Sequence, residues 1–112
     1  MTARICFVEL PAMATVPMKT FYAGAFGLAM TDFGPTYACT LGHGVDLGVQ
    51  ADRADATAAP LPVIEVASLK AAELAVRAAG GTITRPAFGF PGGRRFHFRD
   101  PAGNELAAMQ TE

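Results

Sequence analysis

Several absences narrow what this chain can be. Its only cysteines are Cys6 and Cys39. Two isolated cysteines are too few for a disulfide framework, so both read as reduced thiols, which implies a cytoplasmic setting. Charge is sparse and balanced: nine Lys and Arg against ten Asp and Glu, a net charge of -1. That balance offers no electrostatic case for binding nucleic acid or an anionic membrane surface. No apolar run approaches the ~20 residues a membrane span needs. The opening stretch MTARICFVELPAM has no apolar signal core and passes straight into a strand pattern, so no export signal is read there.

What is present is 112 residues, 51% hydrophobic, enough for a single domain over 1–112 with a core of its own. ARICFVEL alternates with period two and reads as a half-buried strand, with Ile5, Phe7 and Glu9 on one face and Cys6, Val8 and Leu10 on the other. TVPMKTFYAGAFGL reads as a helix, with Thr15 as cap, Pro17 in the first turn, Val16, Phe21 and Phe26 at near-helical spacing, and Gly24 and Gly27 at its end. LAMTDF, TYACTL and VDLGVQ read as short strands separated by Gly34-Pro35 and Gly42-His43-Gly44. His43, between glycines, reads as a surface residue. Tyr22 and Tyr37 read as core or rim residues.

After a polar stretch at 51–60, read as an exposed linker, the order begins again. LPVIEV is a strand, Ser68 caps the helix LKAAELAVRAA, and Gly80-Gly81 stops it. TITRPA is a strand, FGFPGG a mobile loop, and RRFHFR with NELAAM a closing hairpin. In FRDPAGNELAAM, Pro101 presets one turn dihedral and Gly103 can take the positive φ that closes the turn. The hairpin's second strand then carries Glu105, Ala107 and Met109 on one face.

Modules 1–50 and 61–112 therefore repeat the order strand, helix, three strands. End to end, Phe7 aligns with Leu61, Phe21 with Ala75, Gly44 with Gly103 and Gly48 with Ala107. One helix covers one face of a sheet. The expected fold is α+β, with the two βαβββ modules forming a curved mixed sheet around a cleft, helices outside and the ligand in the cleft.

FVELPAMATVPMKTFYAGAFG and GRRFHFRDPAGNEL resemble the vicinal oxygen chelate superfamily. It includes glyoxalase I, extradiol dioxygenases, fosfomycin-resistance enzymes and bleomycin-resistance proteins. FVELP at the start and TRP after the second helix are similar to its uncharacterised glyoxalase-like branch. The resemblance implies paired βαβββ modules over nearly the whole chain. In metal-dependent members, His, Gln or Glu on the first and last strand of each module hold a divalent ion. The resemblance places those positions at Phe7, Gly48, Leu61 and Ala107, none of which has a donor atom, so no metal cofactor is expected there. Glu9, Asp46, Glu65 and Glu105 lie an even number of residues from these positions. With His97, they leave open a displaced hard cation such as Mg²⁺ or Mn²⁺.

On RRFHFRD, alternation sets Arg95, His97 and Arg99 on one face and Phe96 and Phe98 on the other, the pair suited to a helix. Arg94 breaks the pattern toward solvent. Fosfomycin-resistance relatives contact their anionic substrate at the positions matching His97 and Arg95. Arg95 suits bidentate binding of a carboxylate or phosphate, and His97 can donate, accept or move a proton. Glu9, in an apolar cleft lined by Phe7, Leu61 and Val63, is the second candidate for proton abstraction beside a carbonyl. The expected ligand contacts are Phe7, Arg95, His97, Glu105 and Leu61, with Glu9 and His97 as catalytic candidates. Phe88 and Phe90 would stack on a flat ligand or pack on a partner chain.

Two main readings stand. One is a metal-independent small-molecule-binding protein, as the lack of donors suggests; the absence of tryptophan argues against a large cationic antibiotic as its ligand. The other is a lyase or isomerase, similar to lactoylglutathione lyase, acting on a small carbonyl or carboxylate compound. A ligand-sensing accessory domain is a third. A homodimer is expected, because the sheets leave open edges and the chain is hydrophobic for its size.

Overall fold

The computed structural model describes residues 2–112. The fold is α+β, with two βαβββ modules and mixed parallel and antiparallel strands. The first module comprises β1 (Ala3–Pro11), α1 (Thr15–Phe26), β2 (Thr31–Asp32), β3 (Tyr37–Cys39) and β4 (Asp46–Gln50). The second comprises β5 (Leu61–Val66), α2 (Leu69–Ala78), β6 (Thr82–Phe90), β7 (Gly93–Arg99) and β8 (Glu105–Thr111). The chain divides into two compact units: Phe7–Leu61, and Pro62–Glu112 together with the first residues up to Cys6.

Within the first unit the strand order is β2-β3-β4-β1, with β1 parallel to β4 and the other pairs antiparallel. Within the second it is β5-β8-β7-β6, with β5 parallel to β8 and the rest antiparallel. The repeat extends to register. Glu9 pairs with Gly48 in the first module and Val63 with Ala107 in the second. These are the positions that the end-to-end alignment of the sequence makes equivalent.

The core of the second unit forms where α2 meets its sheet. Val66, Leu69, Ala72, Phe96 and Ala108 are buried together, with Phe98, Ile83 and Ala87 packed against them. Phe96 is fully buried, which contributes roughly 1.5–3 kcal/mol. The alternation of β7 therefore places both phenylalanines toward the helix, as the sequence pattern requires. Ser68 caps α2 by accepting from Ala71 N at 3.2 Å, and Gln110 of β8 accepts from Leu69 N at 2.7 Å. Two of the helix's four orphan N–H groups are thereby satisfied.

Two local expectations are corrected. Thr15 is the first helical residue of α1, buried, and the N-cap is Ala14 with no side-chain bond. Pro17 is third in the helix, within the first turn as expected, where its missing N–H is harmless. Val16, Phe21 and Phe26, whose spacing reads as near-helical, are all exposed. A five-residue spacing advances about 140° around a helix beyond a full turn, so the three form no single stripe, although the Phe21 and Phe26 rings meet edge-on at 6.5 Å on the exposed surface. Finally, Phe88-Gly89-Phe90 is not a loop. These residues extend β6 and pair with Arg95, Arg94 and Gly93, leaving only a tight turn at Pro91-Gly92. Cross-strand pairing with β7 outweighs the turn preference of the local Gly and Pro.

Candidate functional site

In the first unit, Phe7 and Glu9 share one face of β1, as alternation predicts. The Phe7 ring lies directly over Gly48, where an added Cβ would collide with the ring and approach the Tyr37 hydroxyl to 3.0 Å. Only glycine allows that approach. Glu9 is almost fully buried and accepts a hydrogen bond from Tyr37 Oη at 2.9 Å. Tyr37, a core or rim residue by its sequence pattern, is a partner of this buried carboxylate. Asp46 is committed locally: its Oδ1 accepts from Thr40 Oγ1 at 2.8 Å and His43 N at 3.2 Å, pinning the exposed 41–45 loop. The same carboxylate and, more strongly, burial push the Cys39 thiol pKa up. Leu61 is fully buried at the start of β5.

In the second unit, the sheet face turned away from α2 gathers charged and aromatic groups. Arg95 and His97 on β7 are both buried, His97 to 2% exposure. His97 pairs across strands with Ala107 on β8 and Arg85 on β6. Its Nδ1 lies 3.2 Å from Glu105 Oε2, which also accepts from Thr84 Oγ1 at 3.1 Å. The Phe88 ring stands 5.7 Å from the imidazole, centroid to centroid. The Arg85 guanidinium lies over that ring at 3.7 Å, and the Arg95 guanidinium is 5.3 Å from Phe88 and 5.9 Å from Phe90. Such contacts hold guanidinium planes against aromatic faces. Arg94 is exposed, as expected.

Burial, first, and then the charge of Arg95 hold the His97 pKa below its ordinary value of 6.5, against the opposing pull of Glu105. Desolvation penalises the imidazolium, and a neighbouring cation adds to the penalty. The ring is therefore neutral at neutral pH. Its Nε2 is buried and has no hydrogen-bond partner among the described residues, an arrangement that folded proteins seldom leave unused. Glu65 is outside this group, bonded to Arg4 Nε at 3.0 Å.

Thr84 and Arg85 are the members of this cluster that sequence reasoning missed. The signal was Pro86 inside a strand pattern, which marks an edge strand or a bulge where alternation fails.

The profile of the Glyoxalase/Bleomycin resistance protein/Dioxygenase superfamily matches residues 8–108. The chain belongs to that superfamily. No curated protein matches it. Among solved structures it is similar to the NAD-dependent benzaldehyde dehydrogenase from Legionella pneumophila (17% identity, TM-score 0.77, covering 95% of this chain and 98% of that one). It is also similar to methylmalonyl-CoA epimerase from Mycobacterium tuberculosis (13% identity, TM-score 0.74, 96% and 87%). A third is a glyoxalase/bleomycin resistance protein/dioxygenase superfamily member from Vibrio splendidus 12B01 (14% identity, TM-score 0.71, 99% and 100%). At these identities the likeness is one of fold.

Superfamily members that use a metal need donor side chains. Phe7, Gly48, Leu61 and Ala107, the positions implied for them, supply none, and the space above Gly48 is filled by the Phe7 ring. These residues do not fit a metal at that position.

Proposed function

We propose that the protein binds a small organic anion on the face formed by β6, β7 and β8, with no metal at the superfamily's usual position. The observation that supports this most directly is the His97 Nε2, a buried polar atom with no partner among the described residues; a ligand would satisfy it. Around it, Arg95 and Arg85 supply positive charge suited to a carboxylate or phosphate. Phe88, on edge strand β6, supplies an aromatic ring beside the imidazole. Superfamily membership supports a small-molecule site in general. A homodimer belongs to the same proposal. The exposed α1 rings Phe21 and Phe26 are apolar, and the helix's lone charge, Lys19, is already bonded to Asp32 at 2.8 Å. Such a neutral face favours its own copy over a charged partner, and sedimentation velocity tests it.

The second reading is an isomerase or lyase in which His97 moves a proton. The Glu105 bond favours it, because a carboxylate on one ring nitrogen orients the other for proton transfer. An epimerase among the structural neighbours keeps that chemistry in view. Glu9, buried against Tyr37, remains the alternative proton carrier.

Thermal-shift and calorimetric screening of small aromatic and aliphatic carboxylates, with chelator present, tests the binding reading. A true ligand at about 100 times its Kd stabilises by about 2.7 kcal/mol, and Arg95→Ala abolishes the gain. Stabilisation that appears only after a divalent metal is added would overturn it. Hydrogen–deuterium exchange at the bound compound's acidic carbon, lost in His97→Asn, separates enzyme from binder.

A further inference from the structure

Between Ile83 and Phe88, β6 carries more residues than the facing stretch of β7. Ile83 pairs with Phe98, Arg85 with His97 and Phe88 with Arg95, so the register shifts twice. Thr84 is the extra residue at the first shift, and Pro86, which has no N–H for the ladder, falls within the second. In a regular strand, Thr84 and Arg85 would point to opposite faces. Here Thr84 reaches Glu105 while Arg85 covers Phe88, the ring beside His97. The bulge aims two consecutive side chains at one cluster.

Glu105 Oε2 is the acceptor shared by the Thr84 hydroxyl and His97 Nδ1. A carboxylate can only accept, so Nδ1 carries the ring's proton. A neutral imidazole has one N–H, which leaves Nε2 as a bare lone pair.

We infer that Thr84 and Glu105 lock His97 in the Nδ1–H tautomer, so that Nε2 is a fixed acceptor and the ligand group seated on it is a donor, a hydroxyl or an enol, in preference to a carbonyl or carboxylate oxygen. Thr84 and Glu105 are then positioning residues. The seat rests on the binding reading above; the tautomer is measurable without any ligand.

The test is ¹⁵N NMR of the full chain labelled at histidine, near neutral pH. The sequence holds only His43 and His97, so His43→Asn assigns the signals. His97 is expected to show a pyrrole-type Nδ1 and a pyridine-type Nε2. Glu105→Ala removes the acceptor, and the pyrrole-type Nδ1 signal is lost as the ring reverts to the Nε2–H form that free histidine favours. Thr84→Val, which leaves the strand intact, shifts the population the same way by a smaller amount and carries the test if Glu105→Ala does not fold. A pyridine-type Nδ1 in the native chain, or an unchanged tautomer in the folded variants, overturns the inference. Mandelate and phenylglyoxylate, a hydroxy acid and its keto counterpart, probe the seat. Mandelate is expected to perturb Nε2 at about tenfold lower concentration, the weight of one hydrogen bond, and the reverse order overturns the donor assignment. If neither acid moves the His97 signals while the tautomer is as inferred, the binding reading fails and the lock stands.

Discussion

The ring of Phe7 lies so close over Gly48 that no other residue fits at position 48 without displacing it. Two positions that the family resemblance assigns to metal donors are thus coupled to each other by packing. Gly48→Ala is expected to cost about 1–3 kcal/mol by overpacking. In a Phe7→Ala background the same change should cost much less, because the obstructing ring is gone. A double-mutant cycle by urea denaturation reads the coupling directly; additive costs would show that the ring yields freely.

The same packing bears on metal. Zn²⁺ or Mn²⁺ added to the chelator-treated protein should leave its melting temperature unchanged, since a site with no donors at Phe7, Gly48, Leu61 and Ala107 gains nothing from the ion. Equilibrium dialysis showing one tightly held ion per chain would refute this.

His97 makes stability depend on pH in a definite direction. Its folded-state pKa is lowered from 6.5, chiefly by burial and then by Arg95. As pH falls below that ordinary value, the unfolded chain takes up a proton that the folded chain resists. Stability should therefore be complete above pH 6.5 and decline as pH drops from there toward the lowered value. His97→Gln, which cannot titrate, should flatten that part of the curve relative to the parent. An unchanged slope would move its source elsewhere.

Asp100 titrates the other way. Its pKa is lowered from 3.8, first by the Asn104 side chain and then by backbone N–H bonds from Asn104, Ala102 and Gly103. Its Oδ1 accepts from Ala102 N and Asn104 N, each at 2.9 Å. The stabilisation of this turn is present above pH 3.8 and lost as pH falls through the lowered value. Amide exchange of the β7–β8 hairpin should quicken over that acid range in the parent. In Asp100→Ala it should be fast already, without further pH dependence from this group.

Where the sequence was legible, the deciding physics was local. Gly27 and Gly103 adopt positive φ, at 69° and 88°, where the helix end and the hairpin require it. Ser68 bonds within its own turn. The alternation of β7 separates Phe96 and Phe98 from His97 because the strand period is two whatever lies beside it. The repeat was legible too, since both modules solve the same problem of covering one sheet face with one helix.

Elsewhere the outcome depended on residues distant along the chain. Whether Phe88 and Phe90 belong to a loop or a strand is set by ladder bonds to β7, which a local window containing Pro91 and two glycines does not contain. That Thr84 and Arg85 serve one cluster follows from a register shift between two strands. That the His97 pKa is lowered follows from burial between β6 and β8, then from Arg95 on its own strand and Arg85 on β6, which together outweigh Glu105 on β8. The sequence by itself determined the order of elements, the turns, and the absence of donor atoms at the implied metal positions, because these reside in single residues and short-range φ preferences. Only the tertiary structure decided the Phe7–Gly48 packing, the aim of β6 and the protonation of His97, because each depends on which atoms strand pairing brings within a few ångströms.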